Sequence, residues 1–148
     1  MITNNAEADS LRDRLEEYYR AIAGDPDARP LPELFTPDVT WHLPRSSPMY
    51  PEPQCGLEKV MGVLTSGVNI YEAGSLDIRR SCTFVDAKEQ RACVQLTLVA
   101  RLADGTPYEN DYVMVFAFRE GLISEVWEHL DTLHQHQLGT FKNYKGAG

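Results

Sequence analysis

The sequence predicts an α+β fold: a cone-shaped, curved antiparallel sheet packed against three N-terminal helices. Three observations carry that expectation. Apolar residues recur at helical spacing through the first part of the chain, at Leu11, Leu15, Tyr18, Tyr19 and Ile22. After Gly74 the pattern changes to long alternating segments rich in β-branched and aromatic residues. Short turn signals join those segments, Asp104-Gly105 and Glu120-Gly121 among them, as in a meander of hairpins. Helices gathered first and strands afterwards favour helices on one face of an antiparallel sheet over alternating βαβ units.

Taken in order, the first helix is expected over Ala6 to Ala23 and is stopped by Gly24-Asp25-Pro26, because proline cannot continue it. A short helix around Pro32 to Phe35 and a strand over Val39 to Leu43 follow. Four prolines between Pro44 and Pro53 mark an irregular loop, long for a compact domain and of the kind that borders sites. The third helix covers Leu57 to Ser66, with Leu57, Val60, Met61 and Leu64 on one stripe. Strands are expected over Ser75–Val85, Arg91–Leu102, Tyr108–Phe118 and Leu122–Asp131, then a terminal helix over Thr132–Leu138. The reading is one domain over residues 1–148, with an ordered core from about 7 to 139 and a flexible Gly/Lys tail.

Composition narrows the functional classes. A chain of 148 residues buries roughly 68–70% of its unfolded surface, enough for a core and a small-molecule cavity. Fourteen basic residues against 22 acidic ones leave a net charge of −8. That field repels nucleic acid and anionic membrane surfaces, so neither is an expected partner. The longest apolar run, Val113 to Phe118, is far short of the ~20 residues of a membrane span. The N-terminus has no basic and apolar leader pattern, so a cytoplasmic protein is expected. Three irregularly spaced cysteines (Cys55, Cys82, Cys93) are not a disulfide framework, and the four histidines have no metal-ligand spacing. No metal is expected.

Side chains alternate across a strand, so parity sorts the candidates. Asn110, Tyr112, Met114, Phe116 and Phe118 share a face suited to lining a pocket. In the last strand Glu128 shares its face with Val126 and Leu130. A carboxyl on an apolar stripe is desolvated, which raises its pKa and suits it to general acid or base work. Gln95 and Thr97 share a face with Cys93 and Val99; if it points inward they offer neutral hydrogen-bonding groups. His42, beside Trp41, titrates near neutral pH and is a candidate base or donor. The opposite face of the Tyr108–Phe118 strand, with Val113, Val115 and Ala117, is apolar enough to pair sheets in a homodimer.

From about Leu11 to Gly139 these residues resemble the nuclear transport factor 2-like superfamily, in its SnoaL-like and phenazine biosynthesis A/B-like branches. The likeness is carried by Gly105-Thr-Pro-Tyr-Glu-Asn-Asp-Tyr112, Phe116-x-Phe-x-Glu-Gly-x-Ile123, Trp127-Glu-His129 and Gln137-Leu-Gly139, with Trp41-His42-x-Pro44 upstream. The resemblance implies a cystatin-like α+β barrel, often a homodimer, working without cofactor on small biosynthetic intermediates, with an acid at the position of Glu128 as general acid/base. The limonene epoxide hydrolase Arg and Asp correspond to Gln95 and Thr97, so that hydrolytic triad is missing. The phenazine-type His and Ser correspond to positions near Val63 and Gly67, and the histidine partner of SnoaL-like aldol cyclases to Met114.

The expectation is therefore a cyclase or isomerase of a hydrophobic, polyketide-like intermediate in secondary metabolism. Glu128 and His42 are its candidate catalytic residues. Gln95, Thr97, Asn110 and Tyr112 would orient polar groups, while Trp41, Tyr50, Met114 and Phe116 shape the wall. Ring closure could also be templated by shape, since holding a polyene in a reactive conformer accelerates a pericyclic step. The alternative is a non-catalytic module of the same fold that binds a small molecule or dimerises.

Overall fold

Leu11, Leu15, Tyr18 and Tyr19 lie on one side of the first helix, and burying that stripe requires a facing apolar sheet. In the computed structural model, which describes the backbone of residues 2–142 and the side chains of residues 5–66 and 70–142, the sheet is there. Of the Gly/Lys tail expected to be flexible after residue 139, residues 140–142 are described, as a turn, and residues 143–148 lie outside the described residues. Helix α1 (Ile2–Ile22) leads through a single 3-10 turn (Leu31–Leu34) into strand β1 (Phe35–His42). A two-residue strand β2 (Gln54–Cys55) and helix α2 (Leu57–Ile70) follow. The meander is β3 (Asp77–Asp86), β4 (Arg91–Arg101), β5 (Pro107–Arg119) and β6 (Leu122–Leu130), closed by helix α3 (Thr132–Gln137).

The six strands form one open sheet in the order β2-β1-β6-β5-β4-β3. It is mixed rather than wholly antiparallel: β1 runs parallel to β6, with Trp41 beside Val126 and His42 beside Trp127. β1 also begins at Phe35, earlier than the β-branched run starting at Val39 indicates. Pro37 sits inside the irregularity between Phe35 and Thr40, where its missing N–H disturbs no regular ladder. Among the described residues no helix is long and apolar enough to cross a membrane.

Two local features aim the last strand. Glu120 and Gly121 both take positive φ (53° and 76°), which makes a tight two-residue turn between β5 and β6. Ser124 is then left out of the pairing, since Phe118 opposes Ile123 while Ala117 opposes Glu125. That one-residue bulge reverses the alternation, so Ile123 is buried before it and Val126 after it. Glu128 is consequently carried to the concave face, opposite Met114. A regular ladder would have presented Glu125 and Trp127 there instead.

The concave face and the helices bury one continuous core. Phe116 and Val126 are fully buried beside Tyr18 and Tyr19, with the Tyr18 and Phe116 rings edge to face at 5.4 Å.

Candidate active site

The space between the sheet and the helices is a cavity of about 460 Å3. β1, β4, β5 and β6 provide one wall through Trp41, Leu96, Leu98, Tyr112, Met114, Glu128 and Leu130. Tyr18, Tyr19 and Ile22 of α1 and Met61, Val63 and Leu64 of α2 provide the other. The proline-rich loop adds Leu43, Pro44, Ser47, Met49 and Tyr50, as expected of a long loop beside a site. Most of this lining is aliphatic or aromatic, and among the described residues none of it is Lys, Arg or His. Its two charged residues are Glu72, paired with Arg101 at 2.5 Å, and Glu128.

Glu128 is set in the sheet wall with a single hydrogen bond among the described residues. The Trp41 indole N–H donates to its Oε2 at 3.1 Å. Burial raises the pKa of this carboxyl above the ordinary glutamate value, and the indole bond opposes that rise in part. The physical causes are distinct: an apolar surrounding penalises charge, whereas a hydrogen bond donated to the carboxylate favours it. Trp41 is itself 2% exposed, held between its strand neighbours and the Phe35 ring at 6.5 Å.

Four phenols stand around this carboxyl. Burial keeps the hydroxyls of Tyr18, Tyr19, Tyr71 and Tyr112 protonated far beyond the usual tyrosine range, and the nearby Glu128 charge adds to the effect in each. They act here as neutral O–H groups. The Tyr112 and Tyr108 hydroxyls are 2.6 Å apart, and Tyr71 packs edge to face on Tyr108 at 5.3 Å. The Tyr19 hydroxyl is buried and has no hydrogen-bond partner among the described residues.

The residues singled out from the sequence divide. Glu128, Trp41, Tyr50, Tyr112 and Met114 come together in the cavity wall. Gln95 and Thr97 do not: β4 turns Val94 and Leu96 inward, so Gln95 faces outward and Thr97 donates to Asp111 at 2.7 Å on the outer face. His42 is likewise outside, because it follows the inward Trp41 in an extended strand. It meets Glu125 at 2.5 Å and stacks on Trp127 with centroids 5.3 Å apart. Asn110 is 4% exposed but does not reach the cavity; its amide bonds the Asp131 carbonyl and the Tyr108 hydroxyl. Phe116 lies one layer behind the wall, packed on Tyr18 and Tyr19.

Sequence reasoning missed Tyr18, Tyr19, Tyr71 and Tyr108. The first two were on the page as part of an apolar stripe, and a helix stripe does not tell a core tyrosine from one whose hydroxyl borders a cavity. Tyr108 shares parity with Asn110 and Tyr112 and was recoverable from alternation. Tyr71 lies just past α2, where neither period applies.

With this geometry in hand, comparisons with known proteins place the fold. No curated protein matches the chain. Among solved structures, a provisionally named polyketide cyclase of Xanthomonas campestris pv. campestris superposes with a TM-score of 0.73 at 17% identity, covering 90% of this chain and 98% of that one. An NTF2-like protein of unknown function from Burkholderia pseudomallei gives 0.71 at 18% identity, covering 87% and 96%. TerC, crystallised with polyporic acid, gives 0.68 at 20% identity, covering 84% and 96%. At these identities the likeness is one of fold. The family comparison is more direct, matching the SnoaL-like domain over residues 15–126, from the buried stripe of α1 to the residue that flanks Glu128 on its own face. The chain belongs to the SnoaL-like domain family.

Proposed function

We propose that the cavity is the active site of a cofactor-independent cyclase or isomerase acting on a hydrophobic, polyketide-like intermediate of secondary metabolism. The observation that carries this reading is Glu128: one carboxyl, pushed toward its neutral form by burial, in the wall of an apolar cavity of about 460 Å3. A carboxyl whose pKa is raised by burial is a stronger base than an ordinary one and can return the proton it takes. Glu128 would remove a proton from carbon next to a carbonyl and deliver it elsewhere on the same molecule. The surrounding aliphatic and aromatic wall would fold the substrate and exclude water.

The lining also selects the charge of the substrate. An anionic ligand would enter a wall that offers two carboxyls and, among its described residues, no cation, and an unpaired buried charge is costly. The reading is therefore an uncharged substrate. SnoaL-like membership and the polyketide cyclase likeness are consistent with such a molecule.

The same fold could bind without catalysing, and a ring closure templated by the shape of the cavity is the alternative to proton transfer by Glu128. One experiment separates the classes: mass spectrometry of metabolites that accumulate when the gene is deleted. A linear precursor converted on adding the pure protein supports the enzyme. No precursor and no turnover removes it. A homodimer belongs to this reading, formed through the outer sheet face, where Phe84 is 60% exposed near Val113 and Val115. Sedimentation at the monomer mass would remove that part alone.

A further inference from the structure

The electrostatics of the cavity wall have one sign. Glu72 is paired with Arg101 at 2.5 Å, which leaves Glu128 as the lining charge without a counter-ion among the described residues. Six aromatic residues share the lining with it: Tyr18, Tyr19, Trp41, Tyr50, Tyr71 and Tyr112. Aromatic rings are negative on their faces. The protein already seats a cation on one of these six, the Arg80 guanidinium 4.6 Å from the Tyr19 ring centre. Arg80 is itself held by Glu16 at 2.5 Å and is not part of the lining. The groups that face Glu128 supply no positive charge either. α1 brings Tyr18 and Tyr19, the segment after α2 brings Tyr71, and β5 brings Tyr112, all kept as neutral phenols by burial. β1 brings the Trp41 indole, whose N–H occupies Oε2 at 3.1 Å. β4 and α2 add no ionisable side chain to the lining among the described residues.

We propose that the cavity also takes a hydrophobic cation, a protonated amine or quaternary ammonium on an aromatic or alicyclic body, with its positive charge set on the Glu128 carboxylate among these rings. Pairing two charges away from water is opposed by the desolvation of both. Here the ionised carboxyl is already desolvated in the free protein, so only the ligand's desolvation opposes the pairing, and the ring faces offset part of it. An anion meets the reverse situation on every side. The wall therefore discriminates by the sign of charge, and hydrophobic cations are a second ligand class beside the uncharged substrate, competing with it for the same space. Such a ligand selects the ionised form of Glu128, which burial otherwise disfavours. The affinity of a permanent cation should rise with pH and level off once Glu128 is ionised in the free protein.

The inference rests on the reading that this cavity takes a small molecule, and three probes separate the two. Methyl naphthyl ketone, which is uncharged, tests the cavity. Trimethyl(naphthylmethyl)ammonium and neopentylnaphthalene, which has the same shape with carbon in place of the charged nitrogen, test the inference. Near pH 8 the wild-type protein is expected to bind the cation about 10-fold more tightly than its uncharged isostere, and the cation should displace the ketone. That preference should shrink as pH is lowered from about 8 to 4, because the carboxyl is then protonated. Glu128→Gln should bind the isostere as the wild type does, which shows its cavity intact, and should lose most of the preference and its pH dependence. A cation bound no more tightly than its isostere by the wild type overturns the inference, while a bound ketone keeps the reading of the cavity. A preference that is independent of pH in the wild type, or undiminished in Glu128→Gln, also overturns it, because the charge would then be recognised away from Glu128. Failure of all three probes to bind overturns both.

Discussion

The Trp41 indole N–H donates to Oε2 of Glu128 at 3.1 Å, and this bond joins two strands that run parallel although the residues are 87 positions apart. Indole nitrogen is only a donor, so Oε2 is held as an acceptor. When Glu128 is neutral its proton therefore belongs on Oε1. Trp41 thus both limits how far burial raises the carboxyl and decides which oxygen delivers the proton.

Removing that donor should move the titration in a known direction. In Trp41→Phe the charged form of Glu128 loses its one stabilising bond while the apolar surroundings remain. Its pKa is expected to rise further above the wild-type value. Carbon-detected NMR of side-chain carboxyls in labelled protein reads this directly, and a fall or no change contradicts it.

Glu128 also makes stability depend on pH with a definite sign. Its folded pKa lies above the unfolded one, so between the two the folded state holds more protons. Stability contributed by the neutral carboxyl is complete below the unfolded pKa and is lost as pH rises through the folded pKa. Glu128→Gln removes the titration. Its melting temperature relative to wild type should climb as pH is raised from about 4 to 8, as expected where function is kept at the expense of stability. A pH-independent difference would place Glu128 in a solvated setting.

Asn110 has its partners inside the protein, and truncating it removes the side-chain acceptor of the Asp111 N–H and a donor to the Tyr108 hydroxyl, while the Asp131 carbonyl keeps the Gln135 N–H. Asn110→Ala should cost about 1–3 kcal/mol in urea unfolding. A change below ~0.5 kcal/mol, the level of ordinary surface substitutions, would show that this network is wet.

His42 and Gln95 are expected to be silent in the cavity. The His42–Glu125 pair is half-exposed on the outer face, where such pairs contribute at most about 1 kcal/mol. His42→Ala and Gln95→Ala should each bind methyl naphthyl ketone within about 2-fold of wild type, inside the range of ordinary surface changes. Loss of binding in either would mean that the outer face shapes the cavity.

These outcomes mark how far the sequence could be read. The β5 alternation was legible because Tyr112, Met114 and Phe116 contrast with Asp111, Val113 and Val115 along thirteen uninterrupted strand residues. Glu128 was legible through its flanking Val126 and Leu130, although the bulge that turns it inward depends on Ser124 dropping out of the pairing. Gln95 and Thr97 misled because polar character was weighed above pattern: Ala92, Val94, Leu96 and Ala100 form the more continuous apolar set, and it is the buried one. Trp41 and His42 could not both face inward from adjacent positions of one strand, so parity alone excludes one of them. The parallel pairing of β1 with β6 and the two-residue β2 have no local signature, since both are decided by contacts far apart in sequence.

The central claim is that the Glu128 carboxyl moves a proton in the reaction. It is tested most directly by the rate at which Glu128→Gln converts the precursor that accumulates on gene deletion, compared with wild type under saturating substrate. Glutamine keeps the shape and can still accept the Trp41 hydrogen bond, but it cannot take up or release the proton. A loss of at least ~10²-fold in kcat is the expected result. A rate within a few-fold of wild type would contradict proton transfer and leave the cavity as a template whose shape alone closes the ring.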